Sequence, residues 1–85
     1  MSILEAIEHA DALVRMVGQA RVSEVKVYGS NVDLFASSPE AGEVIWRLLE
    51  TLTLTYTLDA HDFYRGTFRD VTVGLYVPLA PKEPA

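Results

Sequence analysis

Eighty-five residues, 49% of them hydrophobic and 22% charged, make one globular domain with one core and exclude a second; so short a chain buries roughly 60–65% of the surface it exposes when unfolded. The composition lies far from the low-hydrophobicity, high-charge class that stays disordered. Twelve Asp and Glu against seven Lys and Arg give a formal charge of −5 without any basic cluster, so nucleic acid, whose binding needs cations to neutralise phosphates, is a poor partner.

There is no cysteine, which excludes disulfides and thiolate metal sites and favours the cytosol. The opening Met-Ser-Ile-Leu-Glu has no basic, apolar signal pattern, and no stretch approaches the ~20 apolar residues of a spanning helix. The expectation is a cytoplasmic protein that does not enter a membrane.

In chain order, Ser2 and Glu5 have capping-box spacing, so a helix begins at the N-terminus. Ile3, Ile7, Ala10, Val14 and Val17 recur at helical steps as its apolar stripe, with Glu8, Asp11 and Arg15 toward water and Gly18 as the stop. His9 falls on the polar side, as a solvated residue. From Val22 the period becomes two, with Val25 and Val27 alternating against Glu24 and Lys26, then Val32, Leu34 and Ala36. Gly29-Ser30 between them suits a type II′ turn and sets the register: Val27 opposite Val32, Lys26 opposite Asp33 as an ion pair, and Val25 opposite Leu34.

Ser37-Ser38-Pro39-Glu40 opens a second helix. Ala41, Val44, Ile45, Leu48, Leu49 and Leu52 form its core stripe, and Trp46 covers the rim. A strand follows, with Leu52, Leu54, Tyr56 and Leu58 on one side and Thr53, Thr55 and Thr57 on the other. The last strand turns Val71, Val73, Leu75 and Val77 inward, and Pro78 ends it. The stretch Asp59 to Asp70 either extends this strand backwards from Phe63–Phe68 or projects as a loop. In the strand reading Phe63 and Phe68 pack inward.

The expected fold is α+β, a two-layer sandwich of αββαββ order: a four-stranded antiparallel sheet with two helices on one face. That order equals a ferredoxin-like chain whose first strand has moved to the end, with strand order 3-4-2-1. Residues 1–78 form the domain and 79–85 a flexible tail.

Candidate chemistry is sparse. Asp59, His61 and Asp62 place an imidazole and two carboxylates within four residues, a set able to hold a divalent metal or small ligand. Surface turns collect the same residues for solvation, and the spacing follows no metal or catalytic signature. Tyr28-Gly29-Ser30-Asn31-Val32-Asp33 superficially resembles the Gly-Ser and acidic motif of small nucleotidyltransferases, but those enzymes need two metal-holding carboxylates and Asp33 stands alone. Ser30, His61 and Asp59 supply the side chains of a hydrolase triad without a nucleophile elbow or oxyanion hole. No catalytic residue and no cofactor is assigned.

The sheet face opposite the helices is the stronger candidate. It is expected to show Tyr28, Phe35, Thr53, Thr55, Thr57, Thr72, Gly74 and Tyr76, aromatics among threonines, which suits a contact surface. Phe63 to Arg69 adds aromatics and arginines, the residue types of binding hot spots. The contact residues assigned are Tyr28, Phe35, Thr55, Tyr64, Arg65, Phe68 and Tyr76.

The αββαββ order and the valine-rich second half, with Tyr64-x-Gly66-x-Phe68-x-x-Val71-x-Val73, resemble small uncharacterised proteins of actinobacteria and of the phages that infect them, over most of the chain. The resemblance implies a phage-encoded accessory or regulatory protein that binds a phage or host protein, with no catalytic residues to transfer. The expected function is a non-enzymatic interaction module, a homodimer or higher homo-oligomer that binds a protein partner through the open face and residues 61–69. The rivals are a metal or small-ligand domain built on Asp59, His61 and Asp62, and a structural component of a phage particle.

Overall fold

A computed structural model describes residues 2–57, 60–69 and 71–79. The elements are α1 (Ile3–Val17), a 3₁₀ turn (Gln19–Arg21), β1 (Val22–Tyr28), β2 (Asn31–Ala36), α2 (Pro39–Leu48), β3 (Thr53–Thr57), β4 (His61–Phe68) and β5 (Val71–Pro78). The expected tail beyond Leu79 lies outside the described residues, as do Leu58, Asp59 and Asp70.

Each helix begins at a serine cap. The Glu5 amide donates to Ser2 Oγ at 3.2 Å and the Ala41 amide to Ser38 Oγ at 3.0 Å, each satisfying a donor that the first turn leaves free. Gly18, at φ 97°, stops α1, and its amide donates to Val14 O at 2.9 Å. The β1–β2 hairpin has the expected register, Val27 with Val32, Lys26 with Asp33 and Val25 with Leu34. Gly29 takes the positive φ, 59°, that a type II′ turn demands.

Among the described residues the sheet has five strands, not four, and it is mixed: its order is β1-β2-β5-β4-β3, with β2 and β5 parallel and every other neighbour antiparallel. The unplaced stretch supplies the difference. Residues 61–68 neither extend β5 nor project; they form β4, antiparallel to β5, and Arg69 just after it adopts φ 49°. The expected 3-4-2-1 sequence of neighbours survives, with β4 inserted between the third strand and the last. One added strand reverses the direction of β5, so its contact with β2 must be parallel. This corrects the permuted ferredoxin-like arrangement, in which that contact is antiparallel.

Both helices cover one face, and the core lies between. Val32, Leu34 and Ala36 from β2 and Val71, Val73, Leu75 and Val77 from β5 meet Ala10, Leu13 and Val17 of α1 and Ala41 and Ile45 of α2. The central strands thus carry the core, as expected for strands flanked on both sides. The apolar face of α1 is rotated from its expected position: Ala6, Ala10, Leu13 and Val17 are buried, while Ile3 and Ile7 remain 57% and 48% exposed. Small alanines let the helix sit close to the sheet, which leaves the two isoleucines on its flank.

At Gly42 a Cβ would stand 2.3 Å from Val77 Cγ1, so the absence of a side chain sets how closely α2 approaches β5. Gly42→Ala is expected to cost about 1–2 kcal/mol despite its better helix propensity, because overpacking outweighs the roughly 1 kcal/mol that alanine gains in a helix. Urea unfolding of Gly42→Ala, Val77→Ala and the double variant checks this. The second substitution should recover part of the loss caused by the first.

Candidate functional site

Registers across the sheet resolve the uncovered face into three rows. Tyr28, Asn31, Thr72 and Thr67 form one, and Lys26, Asp33, Gly74, Arg65 and Thr53 the next. Glu24, Phe35, Tyr76, Phe63 and Tyr56 form the third. Side chains on neighbouring strands stand about 5 Å apart, so the third row brings four rings into contact. Phe35 and Tyr76 stack at 4.6 Å with planes 6° apart, Tyr76 and Phe63 lie 4.7 Å apart, and Phe63 and Tyr56 4.9 Å. Lys26 Nζ sits 5.2 Å from the centre of the Phe35 ring, in cation–π range.

Tyr56 reaches this row through a bulge. Leu54 pairs with Tyr64 but Tyr56 with Phe63, so Thr55 is the extra residue and the alternation of β3 changes sides there. The expected threonine row is therefore broken: Tyr56 joins the outer face and Thr57 turns to the helix side, where its hydroxyl donates to Asp62 at 2.7 Å.

Gly74 is the centre of the middle row, and the missing side chain leaves a depression. A Cβ there would stand 2.6 Å from Asp33 Oδ1 and 2.9 Å from Phe63 Cε1. Tyr28, Asp33, Thr55, Tyr56, Arg65 and Tyr76 surround a groove of about 250 Å³ above it. Asp33, 9% exposed, does not bond Lys26, as the turn register alone suggested. Its Oδ2 instead accepts the Tyr28 hydroxyl at 2.5 Å, a diagonal contact across the hairpin that frees Lys26 for Phe35. Arg65 faces the groove with no acidic partner among the described residues.

Of the assigned contact residues, Tyr28, Phe35, Arg65 and Tyr76 share this face, and Thr55 lines the groove from the bulge. Tyr64 and Phe68 do not. They pair with Leu75 and Val71 and turn toward the helices, where Tyr64 lies 6.0 Å from the Trp46 ring. Phe63 and Phe68 cannot both pack inward, because five residues along a regular strand is an odd step and sets them on opposite faces. Phe63 is outward and yet only 9% exposed, since its neighbours in the row cover it.

Two of the three candidate metal residues lie among the described ones, and they diverge. His61 and Asp62 are successive residues of β4, so they point to opposite faces, and Asp62 is engaged by Thr57. Asp59 lies outside the described residues, and among the described residues no group of three His, Cys, Asp or Glu side chains could hold a metal. Nor does any described helix have the length and apolarity to cross a membrane.

The hydrogen bond to Asp33, with a smaller effect of burial, pushes the Tyr28 phenol up to about 12. In the unfolded chain it titrates near 10, so the folded state holds this proton to higher pH. The contact stabilises fully below about pH 10 and is lost as pH rises through about 12. Burial also raises the Tyr64 and Tyr76 phenols, so tyrosinate absorbance should show several phenols ionising late, and Tyr28→Phe should remove one of them. The same variant should lose about 1 kcal/mol near neutral pH by leaving Asp33 without its donor.

No family model matches the chain, and neither does a curated protein or a solved structure.

Proposed function

We propose that this protein is a non-enzymatic interaction module whose uncovered sheet face binds a segment of a protein partner. The observation that carries this reading is the groove over Gly74, edged by the four-ring row on one side and by Arg65 and the Tyr28–Asp33 pair on the others.

Magnitude favours a docking surface over a site that encloses a substrate. Small-molecule sites usually measure about 300–1,000 Å³ and bury most of their ligand. A shallow groove of about 250 Å³ on an open sheet accepts one anchoring side chain while the rest of the partner lies across the rings. Stacked aromatics suit that task, since they offer large rigid contact area at little cost in side-chain entropy. Arg65 adds a fork of donors for a carboxylate on the partner. The buried Asp33 has one oxygen committed to Tyr28 and the other leaning over Gly74, where a donor on the anchor can reach it.

Selection of a displayed random-peptide library on the immobilised protein tests the proposal. Selected peptides should carry an aromatic or long apolar anchor beside an acidic residue, and their binding should shift the amide resonances of Tyr56, Phe63, Arg65 and Gly74. Tyr56→Asp and Arg65→Glu, both at the rim, should each weaken binding by about tenfold or more without loss of fold. Peptides that perturb only the helix side would refute it.

A further inference from the structure

Among the described residues the sheet ends in two free edges, and they differ. The β3 edge is five residues long, interrupted by the Thr55 bulge and made mostly of threonine. The β1 edge has seven residues, Val22 to Tyr28, and runs beside an uncovered apolar strip. Ile3 and Ile7 on α1 are 57% and 48% exposed. Ile7, Val14, Val25 and Val27 border a groove of about 280 Å³ between that helix and the edge strand. The helical stripe written in the sequence is thus only half covered by the chain's own sheet, and its bare half adjoins unpaired backbone.

The pattern of β1 shows what completes it. Tyr28 and Asn31 close a two-residue turn, which makes them a hydrogen-bonded pair. Along an antiparallel ladder such pairs alternate, so Val25 and Val27 direct their amides and carbonyls to the free edge. A twofold axis normal to the sheet, just outside the edge beside Val25, sets Val25 opposite its own copy, Glu24 opposite Lys26, and Lys26 opposite Glu24. The strand is therefore its own charge complement, on the outer face and in two pairs. Moving the centre to Lys26 would oppose lysine to lysine. The same operation sets Val25 of both chains side by side over the apolar groove, with Ile7 of each α1 beside it. The Ser23 bulge, marked by the jump from Val22–Ala36 to Glu24–Phe35, confines regular pairing to the centre of the strand.

We infer that two copies of this chain associate through antiparallel pairing of β1 about Val25, forming one continuous ten-stranded sheet. The contact is separate from the outer-face groove and does not rest on the function proposed for it. It leaves both outer faces on the same side of the joined sheet.

The test is a charge exchange followed by light scattering over a concentration series. The unmodified protein should approach twice the chain mass at tens of micromolar. Glu24→Lys and Lys26→Glu should each weaken association by about tenfold or more, because each places like charges opposite one another in both pairs. Mixing the two variants should restore a heterodimer, and the variant carrying both exchanges should dimerise again. Val25→Pro removes an amide that the monomer's own ladder does not use, so it should abolish association with an unchanged circular dichroism spectrum. A monomer at hundreds of micromolar overturns the inference, as does a dimer indifferent to the exchanges or a mixture that stays monomeric.

Discussion

The parallel contact between β2 and β5 is the constraint on which both faces of the molecule depend. Parallel strands are normally joined by a crossover, and here the path from β2 to β5 runs through α2, β3 and β4. The insertion of β4 reverses the last strand and lets β5 occupy the centre, flanked by β2 and β4. From that position its inward residues, Val71 to Val77, supply the largest share of the sheet's contribution to the core. Its outward residues, Thr72, Gly74 and Tyr76, become the middle of the exposed face. A single strand therefore links core packing to the shape of the groove.

The aromatic row is a product of that register together with one bulge. Tyr76 meets Phe35 because β5 runs parallel to β2 in register, and it meets Phe63 because β4 returns antiparallel. Without the Thr55 bulge, Tyr56 would face the helix side beside Leu54 and the row would end at Phe63. The rings bury one another, which is how Phe63 is 9% exposed on a face with no layer above it. Such mutual covering lowers the apolar area left in water while preserving flat surface for a partner.

Much of this was legible in the sequence, and the failures share one cause. Local chemistry was reliable: serine caps, the Gly29 turn and the alternation in β2 and β5 each depend on neighbours within a few residues. The Val27–Val32 register followed from the turn alone. What could not be read was any property set by distant strands. Phe63 to Phe68 alternate imperfectly, because Gly66 carries no side chain and lies close to the carbonyl of Thr51. The stretch consequently shows no strand pattern of its own, although an odd separation already forbade Phe63 and Phe68 from sharing a face. The Thr55 bulge has no sequence signal at all; Thr-Leu-Thr-Tyr-Thr alternates perfectly, and only the pairing with β4 breaks it. Tyr28 was placed correctly, but its bond to Asp33 was hidden by the better-known preference of a carboxylate for the lysine directly opposite.

The rotation of α1 connects these observations to association. A helix whose apolar stripe is five residues wide along the sequence can turn only part of it toward a sheet that ends at β1. Of that stripe only Ala10 and Val17 are buried, joined by Ala6 and Leu13 from beside it, since alanines allow the closest approach. Ile3 and Ile7 then lie beyond the last strand, where a further strand would normally run. Because a twofold axis normal to the sheet keeps like faces together, covering those residues with a second β1 would also bring two aromatic rows onto one surface. A partner presenting two binding segments would then meet both grooves in one complex, and its second contact would form at the high effective concentration that such linkage produces.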